Sequence, residues 1–320
     1  MTDAACLAEP PAPTAACDWP VTNCYIDAWM LMLREWGLDA MAGLGVTMAL
    51  DYEGDQFTFF KYLHEDLETL YGIVVGELSI WHSLEDQIAT QVQHGRMTLV
   101  EVDGFYLPDT RATSYRTQHT KTTIAIDRMD TEAGQLSYLH NSGRFELSGE
   151  DYAGVFRNRA TEAALPPYVE LVNRRWKPLQ GTALTDAAVT ILSRHLRRRA
   201  DTNPVTTYRA DFPARMDWLI ANNHRFHEYA FATFRQLGAN FQLLSAHLQW
   251  LADRGIDGLS PAAEAAATIS ANAKAMQFKV ARIASRGRYD ACESMFETME
   301  RSYDTIVATL ERRFARTPRS

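Results

Sequence analysis

Between Phe226 and Leu251 apolar side chains recur in steps of four and three: Phe226, Ala230, Phe234, Leu237, Phe241, Leu244, Leu248 and Leu251. A seam with that period commits the segment, about His224 to Ala252, to a helix packed on other helices. Helical patterns fill everything beyond Ala164–Leu165–Pro166–Pro167, with breaks at Asp201–Pro204, Gly255–Pro261 and Gly287. The second half therefore reads as four or five helices and no strands. Ahead of that boundary the period changes to two. Ile73–Ile80, Met97–Val102, Thr120–Asp127, Gln135–His140 and Arg144–Leu147 are short, β-branched or aromatic, and bounded by turn residues. Helices are predicted over CYIDAWMLMLREWG, capped by Thr22–Asn23 and stopped at Gly37, and over Thr58–Tyr71 and Ser83–Gln93. Helices followed by a meander of strands make an α+β layout. The expected division is a Pro- and Ala-rich lead-in over 1–20, an α+β domain over 21–165 and an all-α domain over 166–320.

Composition narrows the function classes. Forty acidic against thirty-two basic residues give a net charge of −8, against a dedicated nucleic-acid binder, which needs a basic face. The four cysteines, Cys6, Cys17, Cys24 and Cys292, form no CxxC pair, and such sparse usage points to a reducing compartment. The first twenty residues carry no basic and apolar signal pattern, and no run of about 18 apolar residues appears. A cytoplasmic protein without a membrane partner is the expectation.

Cys24 opens the first helix, where unpaired N–H groups and the positive end of the dipole favour a thiolate; a buried packing cysteine is the competing reading. His119 begins HTKTTIAID, which alternates as a strand, and GQLSYLH returns after the turn DTEAG. A turn centred near Asp130 sets His119 opposite Asn141. It puts His119, Lys121, Thr123, Ser137, Leu139 and Asn141 on one face, with Ile124, Ile126, Leu136, Tyr138 and His140 on the other. A slip of one residue exchanges Asn141 for His140. An amide beside an imidazole is an arrangement that fixes a tautomer for proton transfer.

The order of cysteine at a helix start, histidine on a strand and asparagine after the next strand resembles the papain-like cysteine fold. Residues 20–160 are also similar to the N-terminal domain of the butirosin-type acyltransferases, in which a cysteine carries an acyl group taken from an acyl carrier protein. The longer pattern of NCYIDAW, LVEVDGFYLPDT, YRTQHTKTTIAI, LSYLHNSGRFELSGEDY, FHEYAFATFRQLGA and KAMQFKVAR resembles a bacterial domain-of-unknown-function family, DUF1839. Its members tend to sit beside stand-alone ligases that load amino acids onto carrier proteins. The resemblance implies a papain-like N-terminal domain with Cys24 as nucleophile, His119 as base and Asn141 as the orienting group. It implies an acyltransferase, of aminoacyl type, working from a phosphopantetheine thioester on a carrier-protein partner to an amine, with no cofactor bound by the chain itself. A thioesterase or peptidase-like hydrolase and a non-catalytic carrier-binding partner are the alternatives. The neighbourhood CDWPVTNC lacks the glutamine that papain-like enzymes place before the cysteine, so the backbone N–H of Cys24 with Asn23 or Thr22 is the candidate oxyanion donor.

Asp103, Tyr106 and Asp109 in VDGFYLPDT either line an acceptor pocket or hold a turn through Asx bonds. His224, His227 and Glu228 share a helix face that a metal could use, but no third protein ligand is evident elsewhere. Arg235, Gln236, Lys274, Gln277 and Lys279 either face a cleft between domains or sit on solvated helix surface. Arg174, Arg175 and Lys177, and the run His195–Leu196–Arg197–Arg198–Arg199, are the densest basic clusters; they either dock an acidic carrier or occupy helix ends.

Overall fold

Asn23 starts the first regular element. Its side chain accepts from the N–H of Ile26 and caps α1, Cys24–Glu35, while the Asn23 amide donates to Phe60 O. Ile26, Trp29 and Leu33 recur on the buried stripe, and Gly37 leaves the helix at φ 69°. The computed structural model describes residues 22–141, 143–156 and 166–314; the lead-in, Cys6 and Cys17 lie outside these.

Six strands form one antiparallel sheet in the order β1-β6-β2-β3-β4-β5. They are β1 Ile73–Glu77, β2 Met97–Asp103, β3 Lys121–Asp130, β4 Gln135–His140, β5 Gly143–Ser148 and β6 Val169–Arg174. The pleat sorts their side chains between two apolar cores. Leu99, Ala125, Leu139 and Val172 join the core that contains α1. Val100, Ile124, Ile126, Leu136, Tyr138 and Val169 face the opposite core, built with α3 Leu84–Gln93 and α4 Gly149–Phe156. The alternation read from the sequence for β3 and β4 holds.

The helical region comprises α5 Gly181–Arg198, α6 Pro204–Ala221, α7 Phe226–Ala230, α8 Gln236–Ala252, α9 Ser260–Arg286 and α10 Glu293–Phe314. It does not keep a separate core: Leu192, Phe234, Leu244 and Phe296 belong to the same apolar cluster as α1. Among the described residues no helix is long and apolar enough to cross a membrane.

Four expectations need correction. The region beyond 166 is not all helix, because β6 pairs with both β1 and β2 and completes the sheet. The helix expected from Thr58 begins at His64, as α2 His64–Tyr71; Tyr52 bridges Phe57, and Thr58 returns to Asp51, holding the preceding stretch out of helix. A 3₁₀ helix over Ala40–Ala49, unassigned from sequence, is packed against α5 and α8. Finally, the long helix of the apolar seam is interrupted: a π turn, Phe231–Arg235, separates α7 from α8.

Candidate active site

Cys24 is partly exposed in the first turn of α1, and among the described residues its sulfur has no hydrogen-bond partner. The helix axis is fixed at both ends. In the last turn Glu35 takes Arg144, which also holds Asp127 of β3 at 2.8 Å. In the first turn the Tyr25 hydroxyl donates to Glu170 Oε2 at 2.8 Å, on β6 and level with Leu99 and Ala125. Arg144 and Glu170 stand in one row across the sheet with Leu139, Ala125 and Leu99, so α1 crosses the strands with its head on the β6 side.

His119 stands where β2 finishes and β3 begins. Asp103, the last residue of β2, shares a pleat face with Leu99 and Glu101, the face on which α1 packs. Its Oδ2 lies 2.5 Å from His119 Nδ1, while Oδ1 accepts from the N–H groups of Phe105 and Thr120. The carboxylate can only accept, so the proton sits on Nδ1 and Nε2 remains available as a base. The imidazole is stacked on Phe105, with centroids 4.5 Å apart. It is nevertheless 70% exposed among the described residues. Of the two readings of Asp103, the Asx turn is the one seen, and the residue also orients a histidine.

Asn141 does not join this pair. The turn joins Asp130 to Gln135 instead of centring on Asp130, and with Ala125 facing Leu139 the ladder sets Asn141 four places from the level of His119. Asn141 leaves the strand at φ 49°, and its amide contacts His140 Nδ1 at 3.1 Å. The orienting partner of His119 is Asp103. His140 forms its own network on the opposite sheet face, with Asp109 at 2.6 Å and Thr122 at 2.7 Å, and Tyr138 donating to Asp109. Burial raises the Asp109 carboxyl, but the hydrogen bonds from His140 and Tyr138 and the His140 charge outweigh it, and the net shift is downward.

Two further groups flank Cys24 that the sequence did not single out. Glu170 takes hydroxyls from Tyr25 and Tyr168 and lies 3.5 Å from His64 Nε2. Burial pushes its carboxyl up, yet His64 and Tyr25 hold the net shift downward. Only the pairing of β6 beside β2 brings Glu170 here, and no local pattern announces it. Asp27, one turn past Cys24, accepts from the N–H of Thr22 at 3.0 Å and from its hydroxyl, and burial raises its carboxyl to about 7. Thr22 is thus engaged with Asp27, and Asn23 with the cap.

The other candidates separate. Tyr106 lies with its ring 5.0 Å from Phe105, close to the site but turned under Gly154. Arg198 pairs with Glu65, Arg199 with Glu311, and Arg174 lies over Trp36, so three of the proposed docking cations are engaged within the chain. His195 is buried against Asp66, and Glu228 pairs with Arg225. Among the described residues no group of three His, Cys, Asp or Glu could hold a metal ion.

Comparison with protein families matches residues 12–174 to the DUF1839 N-terminal domain and 181–312 to the DUF1839 C-terminal domain. The chain belongs to the DUF1839 family. The two DUF1839 segments meet between β6 and α5, so the sixth strand falls within the N-terminal segment, as it does in the sheet. A comparison with curated proteins gives no match.

Proposed function

We propose that this DUF1839 protein is a cysteine-dependent acyltransferase with a papain-like arrangement, related to the butirosin-type enzymes. The supporting observation is the His119–Asp103 pair on the sheet face that α1 crosses, with Cys24 partly exposed in the first turn of that helix. The Cys24 thiolate attacks the thioester carbonyl of an aminoacyl group on a carrier protein's phosphopantetheine arm. A carbon–sulfur bond forms, the oxyanion is met by N–H groups at the head of α1, and the arm leaves as a thiol with the proton held by His119. An amine then attacks the Cys24 acyl group, gives its proton to His119 Nε2, and the Cys24 thiol is restored. Thioester exchange is nearly thermoneutral, so positioning and a competent thiolate supply most of what is required.

Among the described residues no hydrogen bond joins Cys24 and His119, and catalytic contacts of this kind commonly tighten only around substrate. The exposure of His119 also suits an acceptor that arrives from solvent. Intact-mass measurement after exposure to aminoacyl carrier protein tests the proposal. A covalent aminoacyl adduct, lost in Cys24→Ser and discharged by added amine, is expected. Tight carrier binding without an adduct overturns it, and discharge at the same rate without amine makes the protein a hydrolase.

A further inference from the structure

Three side chains on the sheet face away from α1 form a second hydrogen-bonded relay. Thr122 and His140 have the parity of Ile124 and Tyr138, whose side chains enter the core built with α3 and α4. Thr122 Oγ1 lies 2.7 Å from His140 Nε2, and His140 Nδ1 lies 2.6 Å from Asp109 Oδ2. Asp109 comes from the short 3₁₀ turn Pro108–Thr110. The loop between β2 and β3 thus supplies the carboxylate, β4 the imidazole and β3 the hydroxyl.

The proton positions follow from the partners. Bonds from His140 and Tyr138 keep the Asp109 carboxyl ionised, and an ionised carboxylate only accepts. Nδ1 therefore carries the hydrogen, and the neutral ring offers the lone pair of Nε2 to the Thr122 hydroxyl, which donates. Asp109 is itself held in place. Its Oδ1 accepts from the Tyr138 hydroxyl at 2.6 Å, and the Asn141 amide nitrogen stands 3.5 Å from Oδ2. This is the order of a hydroxyl–imidazole–carboxylate triad, in which the acid fixes the tautomer and the imidazole takes the hydroxyl proton.

Strand pairing sets the hydroxyl at an edge that the ladder leaves. Pairing of β3 with β4 stops at Ala125 and Leu139, so His140 meets Thr122 by its side chain alone. On the other side β2 continues, with Val102 opposite Thr122 and Val100 opposite Ile124. N–H groups alternate between the two edges of an antiparallel strand. At least one N–H from Thr122 to Ile124 is therefore turned to the side without a β4 partner, where it can meet an oxyanion. The side chains of His140 and Asp109 are 1% and 3% exposed, while Thr122 is only half-buried. The hydroxyl is the member of the relay that an incoming group meets first.

We infer that Thr122, His140 and Asp109 form a second acyl-handling site, an esterase centre for short acyl groups that does not depend on Cys24. Thr122 Oγ1 attacks the ester carbonyl, an oxygen–carbon bond forms, and the hydroxyl proton passes to His140 Nε2. The bond to the alcohol oxygen then breaks, and the alcohol leaves with that proton. Water next adds to the acyl carbon and gives a proton to Nε2, and the acid departs as Thr122 recovers its hydrogen. Asp109 acts as the positioning residue through His140. The half-buried hydroxyl, with Val102 of β2 beside it in the ladder, suits a short acyl chain.

Methanesulfonyl fluoride tests this without an identified substrate. It is small and sulfonylates activated hydroxyls, forming a sulfur–oxygen bond as fluoride leaves. Sites in the full chain are assigned by fragmentation mass spectrometry, which separates Thr122 from Thr123 and from Cys24. Thr90 serves as the internal reference, being exposed with its hydroxyl on a backbone carbonyl. Thr122 is expected to react at least about 100-fold faster than Thr90, the lower end of a general-base contribution. The excess should vanish in denaturing urea, persist in Thr122→Ser, and be lost in a His140→Gln chain that retains its thermal transition. A native wild-type rate at Thr122 no greater than at Thr90 overturns the site, and this measurement needs no variant to fold. Fast labelling that survives urea or the loss of His140 also overturns it, because the relay is then not its source. Either result leaves Cys24 to be judged by its own adduct.

Discussion

His119 Nδ1 lies 2.5 Å from Asp103 Oδ2, although Asp103 ends β2, His119 precedes β3, and the loop from Gly104 to Gln118 runs between them. Backbone amides of Phe105 and Thr120 hold the other carboxylate oxygen, so Asp103 is itself immobilised. The imidazole is consequently oriented by a fixed acceptor and by stacking on Phe105.

Asp103→Asn tests that relationship. An amide can present N–H to Nδ1 and invert the tautomer, which removes the free lone pair from Nε2. Single-turnover acylation of Cys24 should slow by about 10²–10⁴-fold, the range of a lost general base. Asn141→Ala should leave the rate close to wild type, because its amide contacts His140 and Asp109 instead. Equal losses in the two variants would contradict the assignment of Asp103 as the positioning residue.

How far the sequence discloses all this depends on whether the information is local. The start of α1 is legible because Asn23 and the apolar stripe are neighbours in the chain. The faces of β3 and β4 are legible because parity survives errors of register by two. The register itself is not, since the turn joins Asp130 to Gln135 instead of centring on Asp130, and the bulge between Ile126 and Arg128 recovers only one place of that shift. The segment AMAGLGVTMA hides its helix by having no polar face to set a period. VELVNR follows two prolines and precedes a long run of helices, so its place in the sheet emerges only from pairing with β1 and β2.

His140 and Asp109 give a stability prediction. Their side chains are 1% and 3% exposed and pair at 2.6 Å. Asp109→Ala leaves a buried imidazole and the Tyr138 hydroxyl without their acceptor, and should cost about 3–5 kcal/mol. The Asp109 carboxyl is depressed below its ordinary 3.8, so its contribution is present above that value and is lost as pH falls through the folded value. Acid melts should therefore show a steeper decline of Tm below about 4 for wild type than for Asp109→Asn.

Asp27 has the opposite sign. Its carboxyl is raised from 3.8 to about 7 by burial, so between those values the folded chain holds a proton that the unfolded chain has released. Stability from this group falls as pH rises across that window and is level above it. Asp27→Asn keeps an acceptor for Thr22 but cannot titrate, so its Tm relative to wild type should climb from pH 4 to pH 7. A constant difference across that range would mean that Asp27 ionises normally in the folded state.

The shared core predicts that the two DUF1839 segments unfold together. Gly45, in the 3₁₀ helix of the N-terminal segment, lies so close to α5 that an added Cβ would stand 3.1 Å from the backbone of Leu192. A larger side chain there must push α5 of the C-terminal segment away, at about 1–3 kcal/mol for overpacking. Because Leu192 and α1 belong to one apolar cluster, the loss cannot be confined to one side. Calorimetry of Gly45→Val should show a single transition moved down by several degrees, with Cys24 alkylation rising at the same temperature as helix is lost. Two separated transitions would indicate that α1 and α5 do not share a cooperative core.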